Sequence, residues 1–451
     1  MSMTDKSSKP ARAAGAKTEQ KDEMMTAELI VAPIGELVTP AVDRGPARRR
    51  QMHEILRIPN AAIAVADGRI IFVGSADAIS SSVRTDSNTK FVDARNRVVS
   101  PGLVDPHTHV LFAGNRANEF VMRCQGKSYS EIAAAGGGIV ASMSATRTAS
   151  RAQLTDLARV RLSRMLQHGT TTAEIKTGYG LDLHSELNMF ESIYDLASQE
   201  SIDVVPTFMP AHAFPPGKDR CEYVDQIVTD MLPQARQISQ RRGKENGHPC
   251  VNAFVDVFCD QGYFSLADTK RIFDAARDNG FGLKVHADEF ANLGATTLAA
   301  QYGATSCDHL LNISQTEIDL LSQSQTVAVL LPGTSFYLNL DAHAPARKMI
   351  DAGVAVALGS DFNPGSCHIF SLPIILALAC LHLKMTPEEA LTALTLNAAF
   401  AIGLGDTVGM LREGYQADIT IYDVSTLEEI PYNIGWNPVV SVIKRGALVV
   451  A

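Results

Sequence analysis

The chain has 451 residues, of which 46% are hydrophobic and 20% are charged, and its formal net charge is −9 at pH 7. This length accommodates one large barrel-type domain together with a smaller one, and the composition is ordinary for a globular protein. The acidic balance and the lack of a long basic stripe exclude a general nucleic-acid binder. The most apolar stretch, residues 369–383, contains a proline and is short for a membrane span, so it predicts a buried helix.

Cysteine usage and the N-terminal sequence predict the compartment. The seven cysteines form no CxxC pair, which favours free thiols in a reducing environment. Residues 1–26 are polar and rich in Ala, Lys, Ser and Thr, and they lack the apolar segment of a secretory signal. We therefore expect a disordered N-terminal tail, a cytoplasmic location, and neither nucleic acid nor a membrane as partner.

Strand-like runs follow the tail and return at the C-terminus. They are residues 27–32, 61–65, 69–73, 90–93, 418–422 and 439–443. Asp67-Gly68 separates two of these runs and is typical of a hairpin turn. Strand patterns at both ends of the chain predict a small β-sandwich-like domain assembled from residues 27–98 and 406–451.

Between these parts, residues 99–405 alternate strand-like runs with helical patterns, which is typical of a TIM (β/α)8 barrel. The predicted strands are residues 102–109, 170–176, 203–208, 251–258, 282–286, 304–308, 326–331 and 354–360. The helical pattern that starts near Leu154 ends at Gly169, where glycine is a common C-cap. Thr386-Pro387-Glu388-Glu389 is a capping box that predicts a helix start after the eighth strand.

Metal-type residues fall at the predicted strand ends. His107 and His109 end strand one, and residues two apart on a strand point the same way, so both imidazoles reach one ion. His286 ends strand five and Asp361 ends strand eight. Because chemistry in such barrels collects at the carboxyl ends of the strands, these four residues predict a site for one divalent or trivalent metal ion, Zn or Fe.

A hydrolytic mechanism follows from such a site. A bound metal lowers the pKa of its water toward neutrality, and a nearby base takes the proton. We expect Asp361 to ligate the ion and shuttle the proton, and His309, which ends strand six, to orient the water or stabilise the oxyanion. Which of the two is the main general base stays open. Joint placement on strands one, five, six and eight favours this hypothesis over ordinary hydrogen-bonding histidines.

Residues 101–109, PGLVDPHTH, resemble the signature of the amidohydrolase superfamily, and the segment 414–418 is similar to its closing strand. The resemblance implies a metal-dependent hydrolase barrel with His107, His109, His286 and Asp361 as metal ligands. Members with two metals usually carry a carbamylated lysine at the end of strand four. This chain has the sequence DVFCD at 256–260 instead, which implies a single-metal site. Lys176 ends strand two, and we interpret it as structural or substrate-facing.

Further blocks are similar to the branch of this superfamily that hydrolyses 4-imidazolone-5-propanoate to N-formimidoyl-L-glutamate in histidine degradation. The blocks are residues 112–120, 136–139, 174–181, 212–216 and 360–366. The resemblance runs from about Leu29 to the C-terminus. It implies a small-molecule substrate, a homodimer, and a catalytic set of Asp361, His309 and Glu289. The substrate-contacting residues that it implies are Arg116, Tyr179, His212, Glu289, Asn363, Gly365 and Ser366.

The side chains suit a propanoate-bearing ring. Arg116 offers a bidentate fork for a carboxylate, with a surface salt bridge as the alternative. Tyr179 offers a hydroxyl at the mouth of strand two, with a packing role as the alternative. Glu289 is expected to accept a hydrogen bond from a ring N–H while ionised, with a surface carboxylate as the alternative. Asn363 and the backbone of Gly365 and Ser366 can bind polar groups in a turn.

Two other functions stay open at this point. One is a single-metal deaminase acting on a heterocyclic amine. The other is a catalytically inactive barrel that serves as a binding protein. The N-terminal tail and residues 234–248 have no interpretation from the sequence.

Overall fold

The computed structural model describes residues 24–127, 131–132, 135–245 and 253–451. The predicted tail therefore lies outside the described residues up to residue 23, as do residues 246–248 of the uninterpreted segment and the first two residues of predicted strand four. Within the described ranges, no helix combines the length and the apolar character that crossing a bilayer demands.

The strands form two sheets, one of seven strands and one of eight. In chain order, strands β1 to β15 are Leu29–Pro40, Ile55–Ala66, Arg69–Ser75, Lys90–Pro101, Leu103–Asp105, Thr170–Lys176, Asp203–Ala211, Phe254–Cys259, Gly282–Ala287, Ser306–His309, Val327–Leu330, Val356–Leu358, Ile419–Tyr422, Val439–Lys444 and Ala447–Val450.

Most of the helices lie between the strands of the eight-stranded sheet. Helices α1 to α16 of the described chain are Ile79–Ser82, Ala117–Cys124, Ile139–Thr148, Arg151–Gln167, Leu183–Gln199, Arg220–Gln226, Leu232–Glu245, Leu266–Asp278, Ala295–Tyr302, Gln315–Ser322, Pro332–Tyr337, Ala346–Ala352, Leu372–His382, Pro387–Leu394, Leu396–Phe400 and Glu429–Tyr432. A π-helical turn, Ile227–Met231, joins α6 to α7. Short 3₁₀ turns occupy Arg49–Met52 and Ala76–Ala78.

The seven-stranded sheet is built from both ends of the chain, in the order β15-β14-β13-β4-β1-β2-β3. Strands β1 and β4 are parallel, and the remaining neighbours are antiparallel. The hairpin between β2 and β3 turns at Asp67 and Gly68, whose φ angles are 48° and 69°. Two positive φ angles in sequence define a type I′ turn, which matches the twist of the flanking strands and confirms the predicted hairpin.

The eight-stranded sheet is the predicted barrel. Strands β5 to β12 follow one another in space as they do in sequence, and every neighbouring pair is parallel. A parallel bridge between Thr108 and Phe362 closes the sheet, and the His109 N–H donates to the Phe362 carbonyl at 2.9 Å. All eight predicted barrel strands are present, and their carboxyl ends share one rim.

Local sequence sets the helix ends that the barrel needs. Helix α4 starts at a capping box in which the Ser150 hydroxyl accepts the Gln153 N–H, and Gly169 follows its end with a φ of 88°. Helix α14 starts at the predicted capping box, where the Thr386 hydroxyl accepts the N–H of Glu389. Helix α13 is the buried apolar helix expected from residues 369–383.

The barrel interior changes from apolar at the base to polar at the rim. At the base, Val104, Val329 and Ala357 pack with Ala398 and Ile402, which follow α14 in the chain. A larger apolar cluster lies between the strands and the surrounding helices. Charged and imidazole side chains fill the interior above the apolar base, so the site lies on a rigid, closed scaffold.

Gly102 joins the two sheets at the junction of β4 and β5. Its N–H donates to the Asp418 carbonyl at 2.9 Å. A Cβ at this position would lie 2.3 Å from the Thr171 Oγ1 atom on β6. Only glycine allows this close approach between the small sheet and the barrel.

We predict that Gly102→Ala lowers the free energy of unfolding by about 1–3 kcal/mol, because the added methyl overpacks a buried junction. Gly435→Ala is the control, since Gly435 is exposed and a Cβ there meets nothing within 4 Å. Urea denaturation followed by circular dichroism measures both variants. Equal stability of the two variants would contradict this account of the junction.

Candidate active site

The predicted metal ligands meet at the rim of the barrel. His107 and His109 follow β5, His286 lies on β9 and Asp361 follows β12, and all four are buried. The Nε2 atoms of His107 and His109 lie 3.6 and 3.8 Å from the Asp361 Oδ1 atom. Metal–ligand bonds of about 2.1 Å in a tetrahedral site place ligand atoms about 3.4 Å apart. These three side chains therefore approach the spacing that one small cation needs.

His286 completes the cluster from the neighbouring side. Three overlapping groups have candidate ligand atoms within 4.8 Å of one another: His107, His286 and His309; His109, His212 and His286; and His107, His109 and Asp361. The ring centroids of His107 and His286 are 4.5 Å apart. His286 thus shares a group with each histidine of strand one, although not with Asp361.

Hydrogen bonds orient two of these imidazoles toward the cluster. The His107 Nδ1 atom lies 2.6 Å from Asp308 Oδ2, and the His286 Nδ1 atom lies 3.1 Å from Asp256 Oδ1. The Nε2 atoms of both histidines are buried and have no hydrogen-bond partner in the described part of the chain. A carboxylate on one ring nitrogen with a lone pair left on the other is the usual arrangement of a metal-binding histidine. The residues present therefore fit a divalent metal ion.

The electrostatics of the cluster favour neutral imidazoles. Burial, followed by the positive potential of neighbouring groups, lowers the pKa of His107 and His109 well below the usual histidine range. Neutral imidazole is the form that binds a metal. Burial raises the pKa of Asp361 to about 6. The Asp361 Oδ2 atom accepts a hydrogen bond from the Thr334 hydroxyl at 2.6 Å, which fixes the carboxylate.

His309 and Glu289 lie beside the cluster. Both ring nitrogens of His309 are buried without a hydrogen-bond partner among the described residues, and burial lowers its pKa well below the usual range. The Glu289 Oε2 atom lies 3.6 Å from His309 Nδ1. Burial, then the charges of Asp361 and Asp260, raise the pKa of Glu289 well above its usual value. Burial and these charges therefore favour the protonated form of Glu289 more than in an exposed glutamate, and its expected role as an ionised acceptor stays a prediction.

A cavity of about 940 Å³ opens over the cluster. Its wall includes every residue that the resemblance implied as a substrate contact: Arg116, Tyr179, His212, Glu289, Asn363, Gly365 and Ser366. Aromatic side chains of Phe258, Tyr263 and Phe290 form another part of the wall. The cavity thus combines an apolar face for a ring with polar groups and a cation.

Arg116 forms a bidentate ion pair inside this wall. Its Nε and Nη2 atoms donate to the two carboxylate oxygens of Glu119 at 2.9 and 2.7 Å. Glu119 also accepts the Gly138 N–H at 2.9 Å. A Cβ at Gly365 would lie 2.0 Å from Arg116 Nη1, so the glycine allows the guanidinium to lie against the turn. The salt-bridge alternative for Arg116 is therefore present, but it is buried and at the cavity.

A buried carboxylate shapes the loop that carries Tyr179. Glu186 accepts backbone N–H groups from Gly178, Gly180 and Leu181 at 3.1, 2.7 and 2.8 Å. The carbonyl of Gly178 lies 3.0 Å from His212 Nδ1, so the same loop orients this imidazole.

A second buried carboxylate, Asp260, shapes the loop that carries Glu289. Asp260 accepts the N–H groups of Glu289, Phe290 and Ala291 at 2.9, 2.9 and 3.0 Å.

Sequence reasoning missed the residues that orient the site. They are Glu119, Glu186, Asp256, Asp260, Asp308 and Thr334. Asp308 precedes His309 at the end of β10 and Asp260 follows β8, so strand-end position was the available signal for these two, whereas Asp256 lies within β8. Lys176 is fully buried and is absent from the cavity wall, so the substrate-facing interpretation of this residue is wrong.

Comparison with known proteins identifies the family of the chain. The profile of the Amidohydrolase family matches residues 129–450. The chain therefore belongs to the amidohydrolase family. It is 47% identical over 429 residues to the imidazolonepropionase of Symbiobacterium thermophilum, covering 95% of this chain and 98% of that protein. It is 44% identical over 437 residues to the imidazolonepropionase of Chloroflexus aggregans, covering 95% and 99%.

Solved structures share the fold at low sequence identity. A zinc-bound adenosine deaminase from Xanthomonas campestris has a TM-score of 0.69 and 17% identity, covering 95% of this chain and 94% of that chain. The guanine deaminase of E. coli has a TM-score of 0.69 and 16% identity, covering 93% and 98%. These likenesses concern the barrel and its companion sheet, not the reaction.

Glu186 gives a test of the site through pH. Burial raises its pKa from 4.5 to about 7, against the opposing effect of its hydrogen bonds. The folded state then binds this proton more tightly than the unfolded chain does, so the stability present below pH 4.5 falls as the pH rises to about 7. The full effect is about 3 kcal/mol.

We expect Glu186→Gln to remove this fall of the free energy of unfolding with rising pH. Urea denaturation at pH 5, 6, 7 and 8 measures the free energy of unfolding of both proteins. As the pH rises, this free energy should fall less in the variant than in the wild type, whatever the difference between them at pH 5. Parallel stability profiles would contradict the shift.

Proposed function

We propose that the protein hydrolyses 4-imidazolone-5-propanoate to N-formimidoyl-L-glutamate, a step of histidine degradation. The observation that carries this proposal is the cavity over the His107–His109–Asp361 group, whose wall holds the substrate-contacting residues implied by the sequence. Relatives at 41–47% identity over almost the whole chain carry the name imidazolonepropionase, which supports the same substrate.

Three histidines and one aspartate are the proposed metal ligands. His107, His109 and His286 would offer imidazole nitrogens, and Asp361 a carboxylate oxygen. When bound, a metal ion supplies Lewis acidity that activates water and polarises the substrate carbonyl. The donor set contains no thiolate and suits Zn or Fe.

The remaining steps are proton transfers and charge stabilisation by the side chains. The Asp361 Oδ1 atom, which faces the Nε2 atoms of His107 and His109, takes the proton of the attacking water. Neutral His309 donates an N–H to the oxyanion that forms at the ring carbonyl. The tetrahedral adduct collapses with cleavage of the C–N bond, and the proton returns to the leaving nitrogen. Glu289 at the cavity wall hydrogen-bonds to the ring.

The substrate carboxylate needs a cation in a chain of net charge −9. Arg116 supplies one at the cavity wall, and Glu119 holds its guanidinium plane in place. We assign the propanoate to the Arg116 side of the cavity and the ring to the aromatic wall near Phe258 and Tyr263. Tyr179, His212, Asn363 and the Gly365–Ser366 turn contact the polar edges of the substrate.

An absorbance assay that follows loss of 4-imidazolone-5-propanoate tests the reaction. We expect turnover by the purified protein, loss of turnover with a chelator, and recovery on adding Zn²⁺ or Fe²⁺. Asp361→Ala should abolish turnover, and substantial hydrolysis by this variant would reject its role. Ammonia release from a heterocyclic amine without ring opening would favour a deaminase, and metal binding without turnover of either substrate would favour a binding protein.

Arg116→Ala should raise KM for the acid substrate by about 10–100-fold, because a charge-assisted hydrogen bond contributes about 1.5–3 kcal/mol. Arg116→Lys keeps the charge without the fork and should fall between the variant and the wild type. Arg277→Ala, on the outer surface of α8, is the control and should leave KM unchanged. An unchanged KM for Arg116→Ala would count against the assignment.

The division into a small domain of residues 27–98 and 406–451 and a barrel of residues 99–405 remains our proposal. The homodimer, the cytoplasmic location and the exclusion of nucleic acid and membrane partners also stay predictions. Gel filtration with light scattering measures the oligomeric state and so tests the homodimer. Metal analysis of the purified protein distinguishes Zn from Fe.

A further inference from the structure

A fully buried lysine lies inside the barrel beneath the histidine cluster. The Nζ atom of Lys176 donates to Glu174 Oε1 and to Asp256 Oδ2, both at 2.7 Å. It also lies 3.9 Å from Asp308 Oδ2. All four side chains have no exposed surface. One ammonium group therefore joins carboxylates from strands β6, β8 and β10.

Two of these carboxylates, Asp256 and Asp308, also contact the imidazoles of proposed metal ligands. Asp256 uses Oδ2 for Lys176 and Oδ1 for His286 Nδ1. Asp308 uses Oδ2 for His107 Nδ1. His286 and His107 lie on different strands, and their carboxylate partners are joined only through Lys176 in the described contacts. Lys176 thus connects the two carboxylates that orient the imidazoles of His286 and His107.

We propose that Lys176 is a positioning residue of the metal centre, holding Asp256 and Asp308 so that His286 and His107 present their Nε2 atoms to one ion. The inference rests on the metal site of the proposed function and is independent of the substrate. The Lys176 side chain does not line the cavity, and its hydrogen bonds and ion pairs within the described residues are to carboxylates and not to the metal ligands, so we assign its effect to Asp256 and Asp308.

The physical reason is the cost of buried negative charge. Three carboxylates in a closed apolar barrel repel one another, and buried charges need close partners of opposite sign. The neighbouring buried lysine, Lys284, donates from Nζ to the carbonyls of Pro106 and Ala401 at 3.1 Å, and its ion-pair contact within the described part of the chain is with Glu174, at 3.9 Å. Without Lys176, Asp256 loses its hydrogen-bonded cation, and Asp308 keeps only the charge of Lys284, which makes no ion pair with it among the described contacts. Burial by itself lowers the pKa of Lys176, but the charges of Asp256, Glu174 and Asp308 outweigh it and raise the pKa above its usual value, in line with a permanent charge.

The test is the affinity of the full-length protein for Zn²⁺, measured by competition with a chromophoric chelator. We expect Lys176→Met to weaken Zn²⁺ binding by about 10–100-fold, the usual loss when support of a metal ligand is removed. Lys444→Met is the matched control. Its Nζ atom bridges Asp203 and Asp418 at 2.7 and 2.6 Å, is almost equally buried, and lies at the small sheet away from the histidines. Equal Zn²⁺ affinity in the two variants would overturn the proposal.

A second variant keeps the test decisive if Lys176→Met does not fold. Glu174→Gln/Lys176→Met removes one buried charge of each sign, and removal of a whole ion pair is better tolerated than removal of one partner. This double variant should still bind Zn²⁺ at least tenfold more weakly than Glu174→Gln alone. Affinity equal to that of Glu174→Gln would show that Lys176 has only a structural role.

Coupling between the lysine and its carboxylate gives an independent readout. In an Asp256→Asn background, Lys176→Met should weaken Zn²⁺ binding by a smaller factor than it does in the wild type. The reason is that the substitution at Asp256 has already removed one of the two carboxylates through which Lys176 acts. Equal factors in both backgrounds would contradict the proposed route. Loss of Zn²⁺ affinity in a protein that does not open the imidazolone ring would leave this inference standing and reject the proposed substrate.

Discussion

Closure of the parallel sheet is the constraint on which the site depends. The backbone after β12 pairs with the backbone after β5: the Asp361 N–H donates to the His107 carbonyl at 3.0 Å, and the His109 N–H donates to the Phe362 carbonyl at 2.9 Å. These bonds bring a carboxylate from the last strand to two imidazoles from the first. An open sheet with the same strands would place them at opposite edges.

A second constraint comes from the charges inside the barrel. Neutral imidazoles with free lone pairs require carboxylates behind them, and buried carboxylates require a cation in turn. Asp256 and Asp308 meet the first requirement through hydrogen bonds to His286 and His107. Lys176 meets the second through a hydrogen bond to Asp256 and an ion-pair contact with Asp308 at 3.9 Å. Such a network is costly to bury and adds little stability by itself. Its value lies in fixing the direction of His107 and His286 at the rim.

The loops above the rim follow one design. A buried carboxylate accepts several backbone N–H groups and thereby fixes a loop whose next side chain faces the cavity. Glu186 does this for Tyr179, and Asp260 does it for Glu289. Glu119 combines the same kind of contact, with Gly138, and an ion pair to Arg116. The polar side chains of the cavity wall are therefore positioned by three carboxylates, and these carboxylates are not among the residues that line the cavity.

The sequence alone determined the order of elements and the candidate ligands, because strand ends, turns and capping boxes are local patterns. His107 and His109 were readable from their spacing of two, and the hairpin at Asp67 and Gly68 from its turn residues. Only the tertiary structure decided which side chains support others. The contacts of Lys176 depend on inter-strand register and barrel closure, and no local pattern encodes the distance between atoms on different strands.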